Sequence, residues 1–182
     1  MADARQQRRF QELIAPHLDT ALSLARWLTR DPADAEDVVQ EACLRAFNAI
    51  DQCTGENPRG WLLAIVRNAA FTWLARNRPK QVIAIDTFNT PEDGEVLADP
   101  RATPEAALIE KADAAMLREA IARLPLAFRE VLVLREFQEL SYREVAEIAR
   151  VPIGTVMSRL ARARALLIAD IGRLKRPVEV SS

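Results

Sequence analysis

The chain has a single histidine, His17, one tyrosine, two cysteines and five glycines among its 182 residues. These scarcities exclude a good deal. No nucleophile–base set, no cluster with metal-ligand spacing and no Gly-rich phosphate loop occurs, so no catalytic residue, metal or cofactor is expected. Cys43 and Cys53 form no CxxC pair and have no histidine beside them. They read as reduced structural thiols of a cytosolic protein, with a regulatory disulfide as the alternative. No apolar run approaches the length of a membrane span, and Met1 to Phe10 is polar rather than signal-like. A soluble cytoplasmic chain without membrane insertion is expected. The formal net charge of −1 argues against a generally basic nucleic-acid coat protein. With glycine scarce and Ala, Leu, Arg and Glu abundant, the expected fold class is all-α.

What is present concentrates in Leu140 to Arg164. Ser141 can N-cap a helix, and Glu144, three residues on, completes a capping box. Val145, Ala146, Ile148 and Ala149 supply a buried side. Pro152 lacks an N–H and pushes Val151 toward extended geometry, so one continuous helix is ruled out. A second helix starts near Ile153, with Val156, Leu160, Ala163 and Leu167 on one face. The opposite face carries Gly154, Ser158, Ala161 and Arg162, and Arg159 and Arg164 flank it, within reach of phosphates. Two helices around a tight break, the second basic on its outer side, form the layout of a helix-turn-helix that enters the major groove. Arg150 stands where such turns often use glycine; a left-handed arginine costs roughly 1 kcal/mol.

The rest of the chain reads as helices too. One covers Phe10 to Thr29, bent near Pro16. Asp31 and Pro32 start another that runs to about Ile50, with Val39, Cys43, Ala46 and Ile50 inside and Asp34, Asp37, Glu41, Arg45 and Asn48 outside. After a loop at 51–57, Pro58 opens a helix reaching Arg78. Its inner stripe is Leu62, Val66, Ala69 and Trp73, and its other side shows Arg67, Asn68, Phe71, Ala75 and Arg78. An aromatic between arginines suits unpaired bases. Trp61 and Trp73 read as core, Trp61 being the readier exception. Residues 79–104 read as a flexible acidic linker. Thr103-Pro104-Glu105 caps a helix to Leu124, and Pro125 starts the next, with Phe128, Val131, Leu132 and Phe137 buried. Charge alternates along the chain. Residues 60–78 hold Arg67, Arg76 and Arg78 and no acid, the linker is acidic, and residues 157–176 hold six basic residues against Asp170. Two basic patches point to two DNA contacts.

The order of motifs resembles the extracytoplasmic-function (ECF) group of the sigma-70 family. Asp34-Ala-Glu-Asp-Val-Val-Gln-Glu-Ala-Cys-Leu-Arg-Ala-Phe47 looks like its conserved-region-two helix, and Pro58 to Asn68 like the segment after it. Leu124 to Glu136 and the helix-turn-helix look like region four. The resemblance covers about residues 10–170. It implies two small helical domains: region 2 over 1–78 and region 4 over 105–176, joined by the linker 79–104 and followed by a tail, 177–182. It implies that Asp34, Asp37, Gln40, Glu41 and Arg45 dock on core RNA polymerase. Trp61, Arg67, Asn68, Phe71 and Arg78 would contact the minus-10 promoter element, with loop 51–57 beside a flipped base. Arg143, Thr155, Met157, Ser158, Arg159, Arg162 and Arg164 would contact the minus-35 duplex. Of these, Arg162 and Ser158 read bases, Met157 and Ala161 shape apolar contacts, and Arg143, Arg159 and Arg164 hold phosphates. An arginine bidentate to guanine contributes about 1–3 kcal/mol of discrimination.

The function so implied is a bacterial initiation factor with core polymerase and promoter DNA as partners, no enzyme activity of its own, and an anti-sigma factor as a further partner. Weak DNA binding by the free chain is expected. The competing reading is a conventional dimeric helix-turn-helix regulator with a palindromic site, which would leave the acidic helix and the Arg67/Phe71 surface without a purpose.

Overall fold

In the computed structural model, residues 2–86 and 113–175 are described, and every regular element among them is helical. The first unit contains α1 (Ala2–Leu13), a 3₁₀ turn (Ala15–His17), α2 (Leu18–Thr29), α3 (Pro32–Asn48), a second such turn (Ile50–Gln52), α4 (Pro58–Asn77) and α5 (Pro79–Asp86). The second contains α6 (Ala114–Arg123), α7 (Leu126–Leu132), a π-helical turn (Val133–Phe137), α8 (Tyr142–Ala149) and α9 (Ile153–Lys175).

Local chemistry fixes the boundaries. The Asp31 carboxylate accepts from the N–H groups of Ala33 and Asp34 at 2.9 and 3.1 Å, with Pro32 in the first turn of α3. Asn57 caps α4 in the same way, accepting from Gly60 at 2.9 Å. A Cβ on Gly60 would sit 2.6 Å from that Asn57 side chain, so the cap requires glycine there. Pro16 breaks the first helical stretch, as the sequence indicates, but that stretch begins at Ala2 rather than Phe10.

In the first unit α2, α3 and α4 pack mutually around Leu24, Leu28, Leu62, Leu63, Val66 and Leu74, all buried. The inward face of α3 is Ala35, Val38, Ala42 and Ala46. This corrects the expected face: Ala46 and Ile50 are buried, but Val39 and Cys43 are only half-buried. Small side chains let α3 approach α2 and α4 closely, so the alanines go inward. Trp73 is likewise half-buried, because Ala70 and Leu74 take the inner positions.

In the second unit α9 lies against α6, α7 and α8 through Val156, Leu160, Ala163, Leu167 and Ile171. Phe128, Val131 and Leu132 are buried as expected, whereas Phe137 is 44% exposed. It sits at the end of the π-helical turn with its ring 4.9 Å from that of Trp27 in α2. The expected linker is helical over its first residues, as α5; the rest of it and the Thr103-Pro104-Glu105 cap lie outside the described residues. The two units touch, with α7 packed on α2 and α5, and α8 on α4.

Candidate nucleic-acid interface

The break between α8 and α9 forms as the side chains indicate. Ser141 Oγ accepts from the Glu144 N–H at 3.2 Å, and the Ser141 N–H donates to Glu144 Oε2 at 2.8 Å. The Ser141 N–H and, at 2.8 Å, the Ser141 hydroxyl both donate to Glu144 Oε2, and they hold the carboxyl below the usual carboxylate range. Arg150 closes α8 in the left-handed region at φ 57°, and the Val151 N–H reaches back to Ala146 O at 3.1 Å. The strain foreseen at Arg150 is therefore present.

Beyond the turn, α9 turns Val156, Leu160, Ala163 and Leu167 inward. Gly154, Met157, Ser158 and Arg162 are exposed, Thr155 and Ala161 half-buried, and Arg143 is exposed on α8. These residues form one continuous outer surface beginning at the N-terminal end of α9, suited to a groove. Two arginines depart from it. Arg159 is 4% exposed, electrostatically coupled to the buried Glu130 of α7, and burial pushes its guanidinium pKa down. Arg164 is ion-paired with Glu136 of the π-helical turn. Neither is a free phosphate clamp, because the stripe's two flanks are covered by α7 and by that turn.

On α3, Asp37, Gln40, Glu41 and Arg45 share an exposed face, with Glu41 and Arg45 paired at 2.8 Å. Asp34 stands apart from this set. It is half-buried and paired at 3.2 Å with Arg78 of α4, which also donates to Thr29 O at 3.2 Å. Leu44, 60% exposed, sits within this face; sequence reading passed it over, although an outward leucine between Glu41 and Arg45 was the available signal.

On α4, the Arg67 guanidinium lies 3.7 Å from the Phe71 ring centroid, as the basic–aromatic reading anticipates. Its Nε also donates to Glu130 Oε1 at 2.5 Å, leaving the Arg67 side chain 15% exposed. Asn68 and Trp61 are half-buried, and Trp61 lines a groove with Thr54, Asn57, Glu144 and Ile148. Arg9 of α1 holds the loop before α4 by donating to Ile50 O and Cys53 O. Nothing local in the sequence distinguishes Arg9 from its neighbouring arginines. Cys43 and Cys53 carry free thiols, and burial pushes that of Cys43 up. Among the described residues no group of His, Cys, Asp or Glu could hold a metal ion, and no helix is long and apolar enough to cross a membrane.

A helical unit with an acidic helix and a basic–aromatic helix, followed along the chain by a helix-turn-helix, defines a DNA-directed transcription protein of two modules. The family model for sigma-70 region 2 matches residues 13–80, and that for sigma-70 region 4 matches residues 114–167. The RNA polymerase sigma-H factor of Pseudomonas aeruginosa is 34% identical over 165 residues, covering 87% of this chain and 83% of that protein. The ECF RNA polymerase sigma-E factor of Escherichia coli K12 is 37% identical over 136 residues, 72% of this chain and 70% of its own. Among solved structures, CnrH in complex with the cytosolic domain of CnrY matches with a TM-score of 0.57 at 25% identity, covering 96% of each chain. The fold is also that of the sigma factor RpoE bound to the anti-sigma factor NepR from Bartonella quintana, with a TM-score of 0.64 at 24% identity over 92% of this chain and 98% of that one. The chain belongs to the ECF group of the sigma-70 family of RNA polymerase sigma factors.

Proposed function

We propose that the chain directs core RNA polymerase to promoters through three surfaces, in the bacterial cytoplasm and without catalytic chemistry of its own. The exposed α3 face of Asp37, Gln40, Glu41 and Arg45, with Leu44 at its centre, docks on the polymerase. Asp34 acts behind it by tying Arg78 to α3. The α4 surface of Arg67, Asn68 and Phe71, with Trp61 and the loop held by Arg9, takes the unpaired minus-10 strand. Unstacked bases find two aromatic rings and the Arg67 guanidinium there, which offsets the few kcal/mol lost in opening the duplex. The α9 face of Met157, Ser158 and Arg162, with Thr155 and Arg143 beside it, reads the minus-35 duplex. Residues 1–78 and 105–176 are the corresponding modules, and 79–104 is their tether.

The observation that carries this reading is the coexistence of an exposed acidic face on α3 and an exposed groove-reading face on α9 in one sigma-family chain. An anti-sigma factor is the expected inhibitory partner, in keeping with the complexes formed by CnrH and the Bartonella RpoE. Run-off transcription with purified core polymerase tests the function. Promoter-dependent transcripts should appear only when the chain is added. Tight, palindrome-specific DNA binding by a homodimer, with no such transcripts, would refute it.

A further inference from the structure

All but the last residue of α1 precedes the stretch matched by sigma-70 region 2, which begins at residue 13. The helix is nevertheless seated on the first unit. Phe10 meets Phe47 of α3 edge-on, with ring centroids 5.8 Å apart, and Phe10 and Leu13 pack against the core. From that seat α1 reaches the loop between α3 and α4 at three points. Gln6 Nε2 donates to Asp51 Oδ2 at 3.3 Å. Arg9 donates from Nε to Ile50 O at 3.3 Å and from Nη2 to Cys53 O. Gly55 turns the loop at φ 85°, and a Cβ added there would stand 3.9 Å from Leu13 Cδ2. Gln6, Arg9 and Leu13 recur at i, i+3 and i+7, so one face of α1 follows the loop from its first residue to its turn.

The chemistry of these contacts is that of a brace. Cys53 is buried, and a buried carbonyl requires a partner. The planar guanidinium of Arg9 spans that carbonyl and the one at Ile50 with a single rigid fork. Thr54, Glu56 and Asn57, on the stretch held in this way, present exposed side chains. We propose that α1 is a promoter-specificity element, in which Arg9, assisted by Gln6, is a positioning residue that fixes loop 51–57 in the shape that discriminates the flipped minus-10 base. Arg9 acts through the loop, not on the DNA. A braced loop selects among bases by its geometry, whereas a freed loop adapts to whichever base arrives. The inference rests on the proposed placement of that loop beside the flipped base.

The test uses the full chain with core polymerase on a promoter it transcribes, with templates substituted singly in the minus-10 or the minus-35 element. Arg9→Lys keeps the charge and loses the fork. Gln6→Ala removes the bond to Asp51 alone. A lost hydrogen bond shifts an equilibrium by roughly two- to tenfold, so Arg9→Lys should cut minus-10 discrimination by about fivefold and Gln6→Ala by about twofold. Minus-35 discrimination and core binding should stay at wild type, and the loop amides of Arg9→Lys should exchange faster with deuterium. Wild-type minus-10 discrimination in folded Arg9→Lys overturns the proposal. So does an equal loss at both elements, which marks a merely structural role, and so does reduced discrimination with wild-type loop exchange, which places Arg9 on the DNA itself. If Arg9→Lys loses helical circular dichroism, Gln6→Ala decides by the same criteria. The double variant Thr54→Ala/Glu56→Ala probes the loop directly. Unchanged minus-10 discrimination there overturns the DNA role of the loop, and the inference with it. A loss there, beside wild-type behaviour of Arg9→Lys and Gln6→Ala, overturns the inference alone.

Discussion

Arg159 and Arg162 lie one helical turn apart on α9, and the structure assigns them opposite fates. Arg162 is exposed on the reading face, whereas Arg159 is 4% exposed beside Glu130. Replacing Arg162 with alanine removes a surface side chain, so unfolding should change by no more than about 0.5 kcal/mol. Its loss should instead reduce discrimination between the preferred minus-35 sequence and a mutated one by about 1–3 kcal/mol, roughly five- to 150-fold. Replacing Arg159 leaves a buried carboxylate with one cationic neighbour, Arg67, in place of two. Stranding a buried charged group in this way costs about 1–3 kcal/mol. For a helical unit of this size, a cost of ~2 kcal/mol lowers Tm by roughly 10 °C. Thermal melts by circular dichroism, beside run-off transcription from matched and mutated minus-35 templates, separate the two effects. Arg159→Ala that melts like wild type yet loses minus-35 discrimination would refute the reasoning and return Arg159 to the DNA surface.

Three further outcomes follow from the geometry. Ser141→Ala removes the capping hydroxyl of α8 and should cost about 1 kcal/mol in urea unfolding at neutral pH. Because the Glu144 pKa is lowered in the folded chain, its contribution is fully present above the ordinary glutamate value and lost as pH falls through the lowered one, so the Ser141→Ala deficit should shrink as the pH is taken below the ordinary glutamate range. Asp37→Lys, and separately Leu44→Ser, should leave Tm unchanged but weaken binding to core polymerase by roughly tenfold in a fluorescence anisotropy titration, since both side chains are exposed on the α3 face. Arg129, pushed down to about 10 by burial and by the neighbouring Arg30, stays charged at neutral pH and donates to the carbonyls of Ala122, Leu124 and Leu28. Arg129→Ala strands three acceptors and should cost about 3 kcal/mol in chemical unfolding.

Local signals were the legible ones. The Ser141/Glu144 capping box, Pro32, Pro58 and Pro152 act within a few residues, and the helices around them begin where those residues put them. Phase was less legible where alanine dominates. In α3 the reading weighted Val39 and Cys43, but alanines at 35, 42 and 46 set the packed face, because contact distance rather than side-chain apolarity decides it. On α9 the stripe was right and its flanks were not. At about 100° per residue, Arg159 and Arg164 lie some 70° to either side of the stripe's centre, where exposure depends on what neighbouring elements bring. Those neighbours bring Glu130 and Glu136, which no periodicity on α9 can announce. The same holds for Arg67: its pairing with Phe71 is a local i, i+4 contact and was readable, but its partner Glu130 is 63 positions away.

The character of the contact between the units bears on how such a chain works. A contact that was permanent would be stabilised best by apolar side chains, since replacing a buried ion pair with well-packed hydrophobes is often neutral or stabilising. Here an ion pair and hydrogen bonds to backbone carbonyls stand beside apolar residues of both units that share one buried core. In the proposed function Arg67 meets the phosphates of the melted strand. A leucine in its place would leave no cation for the melted strand. A charged partner for Arg67 is therefore compatible with a surface that, in the function proposed, also binds the melted strand.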